Sequence, residues 1–118
     1  MHPDDRCLQR ILWRKTQDQP ITTYELNTVT YGTASAPFLA TRCLQRLIED
    51  GVINYPEAAK IARDGFYVDD LITGTDDVDN ALSLQQGLID MLRKGGFTSR
   101  KWSSNHPALL EHLPPEEV

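Results

Sequence analysis

The residues of this chain best suited to chemistry are two adjacent carboxylates, Asp69 and Asp70, in the stretch GFYVDDLITGTDD at residues 65–77. Apolar and β-forming residues flank the pair, at 66–68 on one side and at 71–72 on the other. Strand formers on both sides of a short polar break predict two antiparallel strands that reverse direction at the pair. Two carboxylates held side by side at such a reversal could bind divalent cations.

The chemistry that uses such a pair is two-metal phosphoryl transfer. Carboxylate oxygens are hard ligands that suit Mg²⁺, and two ions roughly 3.5–4 Å apart can stabilise both the attacking and the leaving oxygen. The alternative is a solvated polar turn, because turn geometry itself favours Asp. One observation favours the metal site: no Gly or Asn accompanies Asp69 and Asp70, although a two-residue hairpin turn usually needs one.

A second stretch, YGTASAP at residues 31–37, could serve a ligand. Gly32 and Ala36 carry no large side chain, so the backbone here could lie against a base or a sugar. The structural alternative is a bend that leads into a helix, which is the usual role of Gly and Pro.

The composition limits the possible classes of function. The chain has 118 residues with 40% hydrophobic and 25% charged residues, as expected for one ordinary globular domain. Its formal net charge of −5 argues against a self-sufficient nucleic-acid binder, because phosphate binding usually needs a basic surface. There is no apolar run long enough to span a membrane. The polar, acidic start MHPDDRCLQR is unlike a secretory signal, so an intracellular setting is expected.

The cysteines and histidines suggest no metal cluster. Cys7 and Cys43 have no short paired spacing, which predicts reduced thiols instead of a disulfide or a zinc site. The three histidines, His2, His106 and His112, are too scattered along the sequence to indicate a ligand set.

The elements that must position these residues follow from the sequence pattern. Residues 7–14 and 21–27 predict two strands around a polar turn at 15–20, hence an antiparallel hairpin. Apolar residues at helical spacing predict a helix from about residue 36 to residue 50, with Gly51 as its stop.

The second half of the chain predicts two more helices. Residues 55–64 indicate a short helix with Pro56 near its start. The acidic hairpin follows, and then a helix that begins near Asp76 and Asp77 and closes at Gly95 and Gly96. Residues 97–102 predict a final extended segment. The whole order predicts an α+β fold, in which an antiparallel sheet has helices packed on one face.

Taken together, the motifs resemble the reverse transcriptases of long-terminal-repeat retrotransposons, most closely the BEL/Pao class. YVDD at 67–70 is similar to the aromatic-x-Asp-Asp hairpin of the polymerase palm, and YGTASAP at 31–37, preceded by YEL at 24–26, to the family's second motif. HPDD at 2–5 resembles the segment downstream of the first catalytic motif, and GGFTSRKWSSN at 95–105 resembles the helix-to-strand motif that follows the hairpin. Four matches in the same order cover nearly the whole chain.

The resemblance implies roles for the residues of the hairpin. Asp69 would be a direct ligand of the catalytic Mg²⁺ ions, with Mn²⁺ as an alternative ion, and Asp70 would be a metal-site neighbour that tunes it. Tyr67 would pack near the primer end. Val68 would touch the incoming nucleotide or the primer sugar.

It implies further roles outside the hairpin. Tyr31 and Gly32 would line the nucleotide pocket and Pro37 would shape the turn, although retroviral enzymes have Gln where this chain has Tyr31. Lys101 would be a candidate proton donor to the departing pyrophosphate. The alternative for Lys101 is a solvated charge in an exposed segment.

The resemblance also implies missing parts. The family's first motif supplies another metal-binding Asp shortly before HPDD, so residues 1–113 are expected to be a partial palm domain and residues 114–118 a loose tail. The fingers, the thumb and the RNase H segment would lie elsewhere in a polyprotein and would supply the positive surfaces. Met1 could then be an internal residue of that longer protein.

The predicted function is therefore an RNA-directed DNA polymerase fragment, inactive or nearly so as the isolated chain. Its partners in the intact enzyme would be an RNA or DNA template, a primer and deoxynucleoside triphosphates, in a cytoplasmic retrotransposon particle and with no membrane. One alternative is a non-catalytic retrotransposon remnant that acts as a binding or structural module. Another is an unrelated small acidic interaction domain.

Overall fold

A computed structural model describes all of residues 1–118 and divides the chain into two compact units, Met1–Thr41 and Arg42–Val118. The first unit is called the N-terminal unit below and the second the C-terminal unit. Three α-helices and two antiparallel sheets confirm the α+β class. The sheets are separate and two-stranded, so the single sheet that the sequence predicts does not form. No helix combines the length and the apolar character needed to cross a bilayer.

The N-terminal unit contains the predicted first hairpin. Strand β1, Arg10–Trp13, pairs antiparallel with β2, Thr22–Glu25, which confirms the prediction. The first strand is shorter than expected because residues Pro3–Gln9 form a 3₁₀-helix. Its proline at the first position fixes a helical φ, and the backbone N–H of Asp5 donates to the carbonyl of His2 at 3.0 Å.

The register gives this hairpin one apolar and one charged face. Ile11 lies opposite Tyr24, while Arg10 lies opposite Glu25 and forms an ion pair with it at 3.1 Å. Every residue of both strands is exposed, and no residue of 1–41 is buried. The N-terminal unit therefore has no core of its own.

Helix α1, Ala36–Gly51, confirms the predicted helix and its end at glycine. The missing side chain of Gly51 has a packing role as well, because a Cβ there would lie 2.6 Å from the Sδ of Met91. The boundary between the two units falls within α1.

The core of the C-terminal unit is built by α2, Pro56–Gly65, against α3, Val78–Lys94. The buried residues of α2 are all alanines, whereas α3 buries larger side chains such as Leu88 and Met91. The small side chains of α2 let the two helices approach closely. A Cβ at Gly87 of α3 would already touch the Cβ of Ala58 at 3.4 Å. The buried residues of this core are Ile48, Ala58, Ala59, Ala62, Leu84, Leu88 and Met91.

The structure confirms the predicted acidic start and glycine end of α3, and both ends are capped. The Asp77 carboxylate accepts the backbone N–H of Asp79 at 2.9 Å. At the other end Gly96 takes a left-handed φ of 78°, and the N–H of Phe97 donates to the carbonyl of Leu92 at 3.0 Å. These contacts satisfy backbone groups that a helix end leaves free.

The predicted extended segment at 97–102 is wrong as a strand. Lys101 has a φ of 58°, which no strand residue adopts. Instead the N–H of Trp102 donates to the carbonyl of Glu117 at 2.8 Å. Glu117 belongs to a single 3₁₀ turn, Pro115–Glu117, within the segment predicted to be a loose tail, and a further 3₁₀ turn spans Pro107–Leu109.

Candidate functional site

The two carboxylates lie at a tight hairpin, as the sequence predicts. Strand β3, Phe66–Tyr67, pairs antiparallel with β4, Asp70–Leu71, and only Val68 and Asp69 form the loop between them. Asp69 is thus a loop residue, whereas Asp70 is the first residue of β4. The name "acidic hairpin" is used below for residues 66–71.

The base of the acidic hairpin is fixed by the core of the C-terminal unit. Phe66 and Leu71, which oppose each other in the register, both pack against that core. The ladder continues by one more pair, because the N–H of Ile72 donates to the carbonyl of Gly65 at 3.1 Å. Helix α2 runs directly into β3, with no residue between Gly65 and Phe66.

Gly65 positions the acidic hairpin, a role that the sequence motifs did not indicate. A Cβ at Gly65 would lie 2.7 Å from Cδ1 of Leu71 and 3.1 Å from the carbonyl oxygen of Ile72. A side chain here would therefore require the Leu71 side chain and the backbone at Ile72 to shift. A glycine at the predicted junction of helix and strand is the signal that could have identified this close approach.

The other face of the acidic hairpin is open. Tyr67 opposes Asp70 in the register, and successive strand residues alternate between faces, so both lie on the side away from Phe66 and Leu71. Tyr67 is 78% exposed. The open face therefore combines an aromatic ring with a carboxylate.

The tip holds an unfavourable backbone conformation. Val68, the first of the two loop residues, has a left-handed φ of 59°, which two-residue hairpin loops normally obtain from Gly, Asn or Asp. A β-branched residue in this region is an outlier with a cost of about 1–3 kcal/mol. The side chain of Val68 is also 76% exposed, so no burial offsets that cost.

The carboxylates themselves have no partner within the protein. Neither Asp69 nor Asp70 takes part in a side-chain hydrogen bond or an ion pair, and both residues are exposed. No group of three or more His, Cys, Asp or Glu side chains is placed to hold a metal ion. Carboxylate oxygens are hard ligands of the kind that Mg²⁺ prefers, and an ion held by one or two of them would take its remaining ligands from water or phosphate oxygens.

The predicted nucleotide-side residues lie in the N-terminal unit. The Tyr31 side chain is fully exposed, and Gly32 has a left-handed φ of 83° with no atom within 4 Å of where a Cβ would stand. Pro37 is the second residue of α1, where its fixed φ is compatible with a helix start. The predicted bend before the helix is therefore present. Gly32 is favoured there by its left-handed φ, since a side chain would have room.

Lys101 is exposed and forms no ion pair with Asp69 or Asp70. Lys101 and Val68 are the two non-glycine residues with a left-handed φ. Among the four left-handed residues of the chain, Gly96 caps α3. The other three, Gly32, Val68 and Lys101, are residues to which the resemblance assigns a role.

Comparisons of the chain with protein-family models, with curated proteins and with solved structures give no match. A functional interpretation of the acidic hairpin therefore depends on its own geometry and on the motifs of the sequence.

Proposed function

We propose that this chain contributes the metal-binding hairpin of a polymerase palm and is part of an RNA-directed DNA polymerase of the retrotransposon type. The observation that carries the proposal is the strained valine at the tip, next to two exposed carboxylates that no protein group satisfies. Strained backbone persists where its surroundings enforce it, and such positions cluster at functional sites. The two-residue loop between paired strands requires a left-handed φ at its first residue, and a valine stands there although glycine would adopt this φ at lower cost.

In the proposed reaction the acidic hairpin acts by position and charge. Asp69 and Asp70 would hold Mg²⁺, and when bound, this ion supplies activation of the primer 3′ hydroxyl and stabilisation of charge on the α-phosphate and pyrophosphate. The core contacts of Phe66 and Leu71 keep the two carboxylates in place. Tyr67, on the same face as Asp70, would support the primer end.

The remaining roles belong to the same proposal. Tyr31, Gly32 and Pro37 would lie on the nucleotide side, with the backbone of the bend against the base or the sugar. Lys101 would donate a proton to the departing pyrophosphate. Template, primer and nucleotide would also need basic surfaces from other segments, because this chain has a net charge of −5.

Two carboxylates without a third are a weak site for free ions. Substrate phosphates would complete the coordination shell, so the metal should bind best together with a nucleoside triphosphate. A further carboxylate from another segment would be needed for full activity. Primer extension by the 118 residues alone is therefore expected to stay near background, and strong extension that depends on Asp69 would contradict this requirement.

The proposal is tested by adding Mn²⁺ to the ¹⁵N-labelled chain and following paramagnetic line broadening of the backbone amides, with and without a deoxynucleoside triphosphate. The triphosphate chelates the metal in solution and so removes it from any ordinary surface carboxylate. At the acidic hairpin we expect the broadening to persist or increase, because the metal–nucleotide complex itself would bind there. In the double variant Asp69→Asn, Asp70→Asn the broadening should vanish in both conditions.

If the triphosphate instead abolishes the broadening at the acidic hairpin, the pair does not recognise a metal–nucleotide complex. The polymerase proposal would then be wrong. That result would favour the alternative of a non-catalytic remnant that serves as a binding or structural module.

A further inference from the structure

We propose that Ser103 is a phosphorylation site for a protein kinase that selects basic substrates. Arg100 and Lys101 lie three and two positions before it, in the stretch SRKWSSN at residues 99–105. A kinase of this class binds basic residues through acidic side chains in its substrate groove, and the same charges repel acidic segments. The inference does not depend on the proposed metal site.

The charge around Ser103 differs from that of the rest of the chain. Residues 91–110 include four basic side chains, at positions 93, 94, 100 and 101, and no acidic one. All 17 acidic residues of the chain lie outside this range. Arg100 and Lys101 are exposed and form no ion pair within the protein, so both are free to enter an acidic groove.

The surroundings of the two neighbouring serines select Ser103. Residues 97–104 form neither helix nor strand, and Ser103 is exposed with no hydrogen bond from its hydroxyl to another protein group. Ser104 is half-buried, and its hydroxyl oxygen accepts the backbone N–H of His106 at 3.0 Å. Only the Ser103 hydroxyl is therefore ready to react.

The segment around Ser103 can become extended, as a kinase groove requires, at a small cost. Residues 98–104 make a single backbone hydrogen bond to the rest of the chain, from the N–H of Trp102 to the carbonyl of Glu117 at 2.8 Å. Breaking it costs about 0.5–1.5 kcal/mol. Extension also releases Lys101 from its left-handed φ of 58°, which recovers about 1–2 kcal/mol.

The reaction uses the Mg²⁺ complex of ATP as co-substrate. The Ser103 hydroxyl oxygen bonds to the γ-phosphorus, and the bond from that phosphorus to the oxygen bridging it to the β-phosphorus breaks. ADP leaves with the bonding electron pair, and the hydroxyl proton passes to the catalytic carboxylate of the kinase.

Phosphorylation opposes the contact between this segment and the tail. The tail carries two carboxylates, Glu116 and Glu117, and it meets a segment with two positive charges, Arg100 and Lys101. A phosphate adds a charge of about −1.5 to −2 and so cancels that positive charge. The Trp102–Glu117 hydrogen bond then loses its electrostatic support.

The site is tested by incubating the full chain with labelled ATP, Mg²⁺ and the catalytic subunit of cyclic-AMP-dependent protein kinase, which selects basic substrates. We expect a single phosphate per chain, located on Ser103 by mass spectrometry of peptides, and its loss in Ser103→Ala. Arg100→Gln should lower kcat/KM for the kinase at least about tenfold, since it removes one charge pair with the groove. Arg93→Gln is the matched control and should leave kcat/KM unchanged, because Arg93 lies in α3, ten positions before Ser103.

Thr16 is the competing acceptor, because it follows Arg14 and Lys15 and is exposed. It lies in a turn closed by the N–H of Gln19 on the Thr16 carbonyl at 3.2 Å, with Asp18 two positions beyond. No incorporation, incorporation at Thr16 or Ser104 in place of Ser103, or equal losses for the two arginine variants would overturn the inference.

The effect on the tail is measured by amide hydrogen exchange in NMR spectra of the phosphorylated and unphosphorylated chains. The Trp102 amide should exchange faster after phosphorylation. The Phe97 amide, which donates to the carbonyl of Leu92 in the cap of α3, should stay unchanged. Equal or slower exchange at Trp102 would overturn the release of the tail.

Discussion

The two hairpins of this chain differ in what holds them. The β1–β2 hairpin has four residue pairs but buries none of its residues. The acidic hairpin has only two pairs, yet its base packs against the helical core through Phe66 and Leu71. Ladder length therefore does not determine which hairpin is well fixed; contact with a core does. The strained tip with the carboxylates lies on the hairpin that the core can hold in place.

The largest expected effect separates the core from the N-terminal hairpin. Leu88→Ala removes a side chain that is 1% exposed in the C-terminal unit. We expect a loss of about 2–5 kcal/mol in the free energy of unfolding, from lost burial and the cavity left behind. Leu12→Ala deletes the same atoms from an exposed strand position and should cost less than about 0.5 kcal/mol. Urea denaturation followed by circular dichroism measures both, and equal losses would show that the N-terminal unit has a core after all.

The next effect concerns the anchor of the acidic hairpin. Gly65→Ala places a methyl group against Leu71 and the backbone of Ile72, which should cost about 1–3 kcal/mol and shift the amide resonances of the acidic hairpin. Gly74→Ala is the matched control, because a Cβ there meets nothing within 4 Å. If both variants behave alike in unfolding and in NMR spectra, the close approach at Gly65 does not position the hairpin.

A smaller effect distinguishes structural from functional carboxylates. Asp77→Ala removes the N-terminal cap of α3 and should cost about 1 kcal/mol. Asp69→Ala removes a carboxylate with no protein partner and should change stability by less than about 0.5 kcal/mol. Thermal unfolding of the two variants provides the measurement. A large loss for Asp69→Ala would indicate a structural role that the geometry does not contain.

The smallest effect is a gain at the strained tip. Val68→Gly removes the strain of a left-handed valine, which should stabilise the folded state by about 1–2 kcal/mol. It also gives the unfolded chain more conformational entropy, which should lower stability by about 0.5–1 kcal/mol. A net stabilisation of less than about 1 kcal/mol is expected in denaturant unfolding. The same variant should bind Mn²⁺ more weakly, because the loop that fixes Asp69 becomes more mobile. A loss of stability would mean that Val68 is not strained.

Local patterns predicted much of this fold because they depend on nearby residues. Residue spacing and local chemistry predict the three α-helices, the acidic start and glycine end of α3, and both hairpins. What failed depends on distant partners. Residues 97–102 look like a strand, but a strand needs a free neighbouring edge, and this segment instead bonds to the tail through Trp102 and Glu117. The predicted single sheet failed for the same reason, since sheet assembly is a non-local property.

The candidate site also combines features that the sequence predicts with features that only the structure shows. The position of Asp69 and Asp70 at a reversal followed from the flanking strand formers. The anchoring role of Gly65 and the strain at Val68 did not, because both arise from three-dimensional contacts and backbone angles.

The chain contains a matched pair of acidic sites that tests the central claim directly. Asp76 and Asp77 are also adjacent and exposed, but the carboxylate of Asp77 already accepts a backbone N–H. In a Mn²⁺ titration in the presence of a deoxynucleoside triphosphate, followed by amide line broadening, the acidic hairpin should broaden at a lower metal concentration than residues 76–79, because both of its carboxylates are free of protein partners. The variant Asp69→Asn, Asp70→Asn should lose only the first response, and Asp76→Asn, Asp77→Asn only the second. Equal broadening at the two pairs would contradict a metal-binding role for the acidic hairpin.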